Sequence, residues 1–371
     1  MTFLSQLFAL VRKEFLAVLR DPRSRFVLIG PPIIQLLVFS YAATFDLNDV
    51  PVAVYNQDHG SHSRELLARI EGSPAFHIVR QVTHEQELRP LIDNREVLLV
   101  LSVGQDFSRN ISQGRSAPLQ ALLDGRNSNS ALIALGYLRD ILIDFNRAQQ
   151  QASGGPPLPA MLEVRAWYNE NMTSRWFIVP GIVGLLLLVV TLVVTALSIA
   201  REREAGTFDQ LLVTPLHPTQ ILIGKSIPGM VIGLIEASLI IVIAVLWFDI
   251  PLRGSIGALY LGVVLFLLSA VGIGLMISAI SVTQQQALLG AFLFLVPAVI
   301  LSGFATPIAN MPEVVQWLSY LDPLRYFLII VRGVFLEGDA YTLLLHQYWP
   351  MALIGTVSLG LAGWLARHRM Y

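Results

Sequence analysis

Between Gly254 and Pro312 the chain runs for 59 residues without a charged side chain. A bilayer core takes about 20 helical residues per crossing, so this run is too long for one span. A polar break, Ser281-Val-Thr-Gln-Gln-Gln286, divides it into two. Phe26–Phe45 and Trp176–Ala200 are also uncharged, Ser226–Phe248 holds only Glu236, and Tyr348–Ala366 closes the series. The pattern predicts an α-helical polytopic membrane protein with six spans, at 26–45, 176–200, 226–248, 255–280, 287–305 and 348–366. Composition agrees: 54% of the chain is hydrophobic and 14% charged, where soluble domains carry about 25% charge. A net charge of −1 leaves no basic footprint for nucleic acid. The absence of cysteine excludes disulfides, thiolate metal sites and a cysteine nucleophile.

Of the 51 charges, 27 fall between Asp46 and Arg175. This segment, 46–175, is predicted to be an inserted extracytoplasmic α/β domain. It reads as strands at Val50–Tyr55, Phe76–Val82, Glu96–Val103 and Leu119–Leu123. Helices fall between them, Thr83 and Gln86 form a capping box, and a long helix spans Ser130–Gln150. Orientation follows from Lys and Arg beside the spans. Arg12, Lys13, Arg20, Arg23, Arg25, Arg201, Arg203, Lys225, Arg367 and Arg369 share one side if the chain crosses six times. That side is the cytoplasm of a bacterial inner membrane, with both termini and the tail 367–371 facing it. Arg253, Arg325 and Arg332 fall on the other side. Residues 1–25 are expected to lie in the cytoplasmic interface as an amphipathic helix, with Leu7, Leu10, Val11, Phe15 and Val18 on its apolar face and Arg12, Lys13 and Glu14 off it. A region this long before the first span disfavours a cleaved signal peptide.

Catalytic motifs fail one by one. Gly224-Lys225-Ser226 resembles the end of a phosphate loop, but Thr219 stands where the first glycine belongs and Lys225 caps a span. Gly272-Ile-Gly274 lies within a span and fits close helix packing better than dinucleotide binding. No Gly-x-Ser-x-Gly elbow occurs. His84-Glu85 lacks the second histidine of a zinc motif, with Leu88 in its place, and His59, His62 and His77 read as surface histidines; no metal site is expected. The loop 201–225 is more informative. A short helix from Thr207 to Val213 would set Phe208, Leu211 and Leu212 beside the charges Arg201–Glu204, an apolar knob within a charged collar.

Several stretches together resemble the permease subunit of type-2 ABC exporters, over nearly the whole chain. They are Glu202–Leu216, Ser302–Pro312, Leu321-Asp-Pro-Leu-Arg-Tyr-Phe327 and Val331-Arg-Gly-Val-Phe-Leu336. Val50–Asp58, Asp106-Phe-Ser-Arg109 and Phe177-Ile-Val-Pro-Gly181 are similar to the branch with a large periplasmic domain between the first two spans. The resemblance implies a non-enzymatic half-transporter. Its partners would be a separate ABC ATPase and a second permease, in a homo- or heterodimer, surrounded by membrane lipid. In that branch a periplasmic adaptor and an outer-membrane channel join them. This chain would hold no cofactor, ATP and Mg residing on the ATPase. Arg201, Glu202, Arg203, Glu204, Gly206, Thr207, Phe208, Leu211 and Leu212 would form the coupling loop that meets the ATPase. Residues 306–345 would form short helices dipping in from the outer face, which accounts for Arg325 and Arg332. The expected cargo is a drug, lipid or other amphiphile moved outward.

Two other classes compete. A membrane-anchored ligand sensor needs one or two spans, not six. An ion-coupled secondary transporter wants several ionisable groups within its spans, and Glu236 alone is central to one. Glu236 has two readings: a neutral carboxyl hydrogen-bonded to a Ser, Thr or Gln of a neighbouring span, or a wall of a translocation cavity that prefers cations.

Overall fold

The computed structural model describes residues 3–20, 22–42, 47–152, 168–169, 173–208 and 217–368, with backbone alone at 17–19, 22–29, 31, 42, 127–129 and 218. Two compact units emerge, Met1–Ala43 with Ala166–Tyr371, and Thr44–Arg165. Each is taken by itself.

The first unit opens with α1 (Phe3–Arg20) and α2 (Pro22–Ala42). Leu10 and Glu14 of α1 are buried, while Leu4 and Phe8 are exposed. Leu7, Val11 and Phe15 are half-buried and Arg12 and Lys13 exposed, so only the place expected for Glu14 is corrected. Glu14 sits one turn beyond Leu10 on the same stripe, and a carboxylate lies where only apolar residues were expected.

The second unit carries β1 (Val50–Asn56), α3 (Ser61–Glu71), β2 (Phe76–Val82), α4 (Leu88–Asp93), β3 (Leu99–Val103), α5 (Phe107–Ser112), β4 (Leu119–Leu123) and α6 (Ser128–Ala152). The strand order is β2-β1-β3-β4, with β1 parallel to both neighbours and β4 antiparallel to β3. Both faces of the sheet are covered, which is why β1 is apolar at successive positions. Val52 and Val54 pack with Leu66 and Ile70 of α3 and with Leu138 and Phe145 of α6. Ala53 and Val100 pack with Leu88 and Leu91 of α4 on the other side. At the end of β1, buried Asp58 accepts hydrogen bonds from Ser108 Oγ (2.5 Å) and the Gly60 N–H (3.2 Å). Two local expectations change. Arg95 takes a left-handed turn (φ 61°) that delays β3 to Leu99. Thr83 forms no capping box; a 3-10 turn at Glu85–Glu87 follows His84 instead, without a side-chain cap.

The chain returns to the first unit with α7 (Ser174–Glu204), α8 (Pro218–Leu246), α9 (Ile256–Ile280), α10 (Gln284–Leu301), α11 (Glu313–Leu318), α12 (Pro323–Arg332) and α13 (Tyr341–His368). Helices α7, α8, α9, α10 and α13 are long and apolar enough to cross a membrane. The first expected span falls on α2, whose described apolar stretch is Pro32–Tyr41. The segments Glu313–Leu321 and Pro323–Glu337 meet at 83° and bring the total to six if counted as one span. Neither arm alone reaches across. At Gly181 of α7 a side chain would strike Phe304 and come within 3.5 Å of Arg332.

Helix α9 is the hub, buried along most of its length. Its glycines allow the close approach the sequence suggested: Gly272 lies against Ser358 of α13, and Gly274 against Thr195 of α7. Farther along, Phe266 stacks on Phe327 of α12, with centroids 4.3 Å apart.

Candidate functional site at the α7–α8 connection

Helix α7 continues through Arg201-Glu-Arg-Glu204, since these residues are good helix formers. It stops at Ala205-Gly206, where Gly206 supplies the left-handed turn (φ 67°) that side chains resist. Helix α8 starts at Pro218, suited to a first helical position, and the His217 N–H donates to Gln220 Oε1 at 2.6 Å. Residues 209–216, with Leu211 and Leu212, lie outside the described residues. So does most of the helix expected at 207–213.

Three consecutive side chains leave the end of α7 for different helices. Glu202 turns inward. Its carboxylate lies 2.7 Å from Lys225 Nζ of α8 and pairs with Lys13 of α1. Lys225, with a side chain only 1% exposed, also contacts Glu14 of α1 at 3.0 Å. Two lysines and two carboxylates thus form a neutral, largely buried quartet. Arg203 donates to the carbonyls of Ala279 (2.7 Å) and Ser281 (3.1 Å) at the end of α9. Glu204 accepts the Gln284 N–H (2.8 Å) at the start of α10. A cation at a helix C-terminus and an anion at an N-terminus both complement the helix dipole, so this adjacent pair clamps the α9–α10 turn.

Phe208 departs from expectation. It is buried among Ile199, Val271, Leu275, Ala279 and Ala362, with the Arg203 guanidinium 5.0 Å from its ring. It is a plug in the bundle and not a knob on its surface, because the turn at Gly206 folds the chain back onto α9 and α13. Thr207 is exposed and its hydroxyl donates to the Glu202 carbonyl (3.3 Å). Arg201 lines a cavity of about 210 Å³ beside the quartet.

Glu236 of α8 lies apart from this cluster. It is 6% exposed and faces the interior of the unit. Neither carboxylate oxygen finds a hydrogen-bond partner among the described residues, and neither does the buried Thr191 hydroxyl of α7. The hydrogen-bonded reading thus lacks its partner there.

Lys13, Glu14 and Lys225 belong to the site although the sequence reading gave them other places. The signal was present: Glu14 follows Leu10 by one turn on the apolar stripe, and Lys225 stands two turns into an apolar helix with no acid near it in sequence. Among the described residues no three His, Cys, Asp or Glu side chains gather as a metal site.

Relatives point the same way. The family model for ABC-2 family transporter proteins matches residues 23–364. The chain is 40% identical over 361 residues to the probable multidrug ABC transporter permease YbhR of Escherichia coli K12, covering 97% of each. It is 30% identical over 368 residues to the probable multidrug ABC transporter permease YbhS of the same strain, covering 97% of this chain and 96% of that one. A third relative, the inner membrane transport permease YhhJ of that strain, is 25% identical over 361 residues, with 96% and 95% covered. A six-span pattern without catalytic motifs, a helical membrane bundle and relatives matched from end to end converge: this chain belongs to the ABC-2 transporter family, as a permease and not an ATP-hydrolysing subunit.

Proposed function

We propose that the chain is the permease of an ATP-driven exporter in a bacterial inner membrane, with both termini cytoplasmic, and that it moves a drug, lipid or other amphiphile outward. The α/β unit is extracytoplasmic. The segment 306–345 dips in from the outer face. Two permeases pair, each with a separate ATPase that carries ATP and Mg. A periplasmic adaptor and an outer-membrane channel complete the path.

One observation carries this reading: Glu202, Arg203 and Glu204 tie the α7–α8 connection to α1, α8, α9 and α10. An ATPase pressing on residues 201–216 would move all these helix ends together. Arg201, Thr207, Leu211 and Leu212 form the contact, while Glu202, Arg203, Glu204, Gly206 and Phe208 transmit the push. Cysteines at Ser128 and Thr207 are expected to label from opposite sides of the membrane. Leu211→Asp and Leu212→Asp should leave the permease folded but abolish ATPase co-purification and export. Unchanged co-purification and export in both variants would reduce the loop to a connector.

A further inference from the structure

Beside α11 lies a cup of about 340 Å³, lined by Ile308, Glu313, Gln316, Trp317, Tyr320 and Arg325. Its cation is fixed. Arg325 donates to Ser319 Oγ, and its guanidinium lies 4.1 Å over the Tyr320 ring. Its anion is unspent: the Glu313 carboxylate meets no polar partner among the described residues. Opposite charges therefore face one small volume without neutralising each other. Trp317 and Tyr320 make an aromatic corner, with centroids 6.0 Å apart and planes tilted by 50°. The Gln316 amide N–H₂ donates to the Met311 carbonyl (2.8 Å). On the same short segment Val314, Leu318 and Leu321 are exposed, so an apolar surface adjoins the cup.

A guanidinium favours phosphate. An ammonium group favours a carboxylate and the faces of Trp and Tyr. The exposed apolar side chains favour a hydrocarbon chain. We propose that the cup binds the zwitterionic headgroup of a membrane phospholipid, with its phosphate on Arg325. The amine lies between Glu313 and the Trp317–Tyr320 corner, and the acyl chains run along Val314, Leu318 and Leu321. A free aminoalkyl phosphate shares the head chemistry but leaves the apolar side uncovered. The inference rests on the permease reading only for placing this segment in lipid.

The test is native mass spectrometry of the delipidated full chain in detergent, titrated with phosphatidylethanolamine, phosphatidylglycerol or soluble O-phosphoethanolamine. The wild type should retain phosphatidylethanolamine about tenfold better than phosphatidylglycerol, the scale of one charge-assisted contact. O-Phosphoethanolamine should bind far more weakly than the lipid. Glu313→Gln, at an exposed position, should erase the preference between the lipids. Arg325→Lys keeps the charge but loses the planar fork, and should weaken both lipids alike. Equal retention of the two lipids by the wild type, an unchanged ratio in Glu313→Gln, or soluble headgroup binding as tight as the lipid would each overturn the assignment. No ATPase or transport step enters the measurement, so failure here and failure of the exporter reading are told apart.

Discussion

Helix α8 buries two ionisable side chains eleven residues apart, close to three turns, so both point to nearly the same side of the helix. Lys225, two turns into it, touches two carboxylates from two other helices. Glu236, at its middle, touches no counter-charge and no hydrogen-bond donor among the described residues. A charge is tolerated in low dielectric only when paired. The first position therefore holds an ion cluster that fastens helices together, and the second holds a group that gains nothing from being charged.

The largest effect should come from breaking the cluster. Lys225→Met leaves two buried carboxylates sharing the half-exposed Lys13 alone, a loss of about 3–5 kcal/mol when one partner of a buried pair is removed. The purified chain should melt far lower or fail to accumulate. Combining Lys225→Met with Glu14→Gln and Glu202→Gln removes the stranded charges and should recover most of the loss. Lys13, with a side chain 50% exposed, should cost under about 1 kcal/mol when changed to Met. Equal melting of the Lys225 and Lys13 variants would break the distinction between a buried fastener and a surface pair.

Phe208 supplies the next test. As a plug, Phe208→Asp places a charge among apolar side chains and should destabilise by at least the roughly 3–5 kcal/mol of a Phe→Ala change in a core. As a surface knob it would melt like the wild type while losing ATPase binding. Detergent-phase melting of the full chain decides between them.

Much of this was legible before any coordinates. The spans were readable because lipid forces long uncharged runs, and the strands because alternation and turn residues are local signals. The pairing of Glu202 with Lys13 and of Glu14 with Lys225 was not, because it joins residues about 190–210 positions apart whose meeting depends on how α1, α7 and α8 pack. The inward turn of Phe208 escaped for a similar reason. Its sequence neighbours Thr207, Asp209 and Gln210 are polar, and its packing partners come from α7, α9 and α13. The 83° bend between α11 and α12 was foreseen only through resemblance, since composition alone cannot separate a broken span from a hairpin that turns back.

Glu236 is the other half of the comparison and should give a smaller change of opposite sign. A buried polar group without a partner costs about 1–3 kcal/mol. Glu236→Leu should therefore raise the melting temperature, while Glu236→Gln changes it little. If the carboxylate instead serves cationic cargo, Gln selectively slows export of cations and spares neutral amphiphiles. A lower melting temperature for Leu would mean that the carboxyl is held by a donor, and the contrast with Lys225 would fail.

Asp58 in the α/β unit shows a third way to bury a charge, and its effect should be the smallest. Burial works to raise its carboxyl, but hydrogen bonds from Ser108, Ser63 and the Gly60 backbone outweigh it, and the net position is below the ordinary value. A carboxyl depressed on folding contributes stability that is fully present above its unfolded value, about 3.9, and that is lost as pH falls through the lower folded value. Ser108→Ala removes the leading donor, so the folded value should rise toward the ordinary one and the acid-induced loss should begin at higher pH. The readout is local. Hydrogen exchange at the start of α3, corrected for intrinsic rates across pH 3–6, should show protection lost earlier in Ser108→Ala, with α8 peptides unaffected. Coincident loss in the wild type and Ser108→Ala would mean that Ser108 packs against Asp58 without holding its charge. Hydroxyls and a backbone N–H would then not substitute for the counter-ions that Lys225 requires.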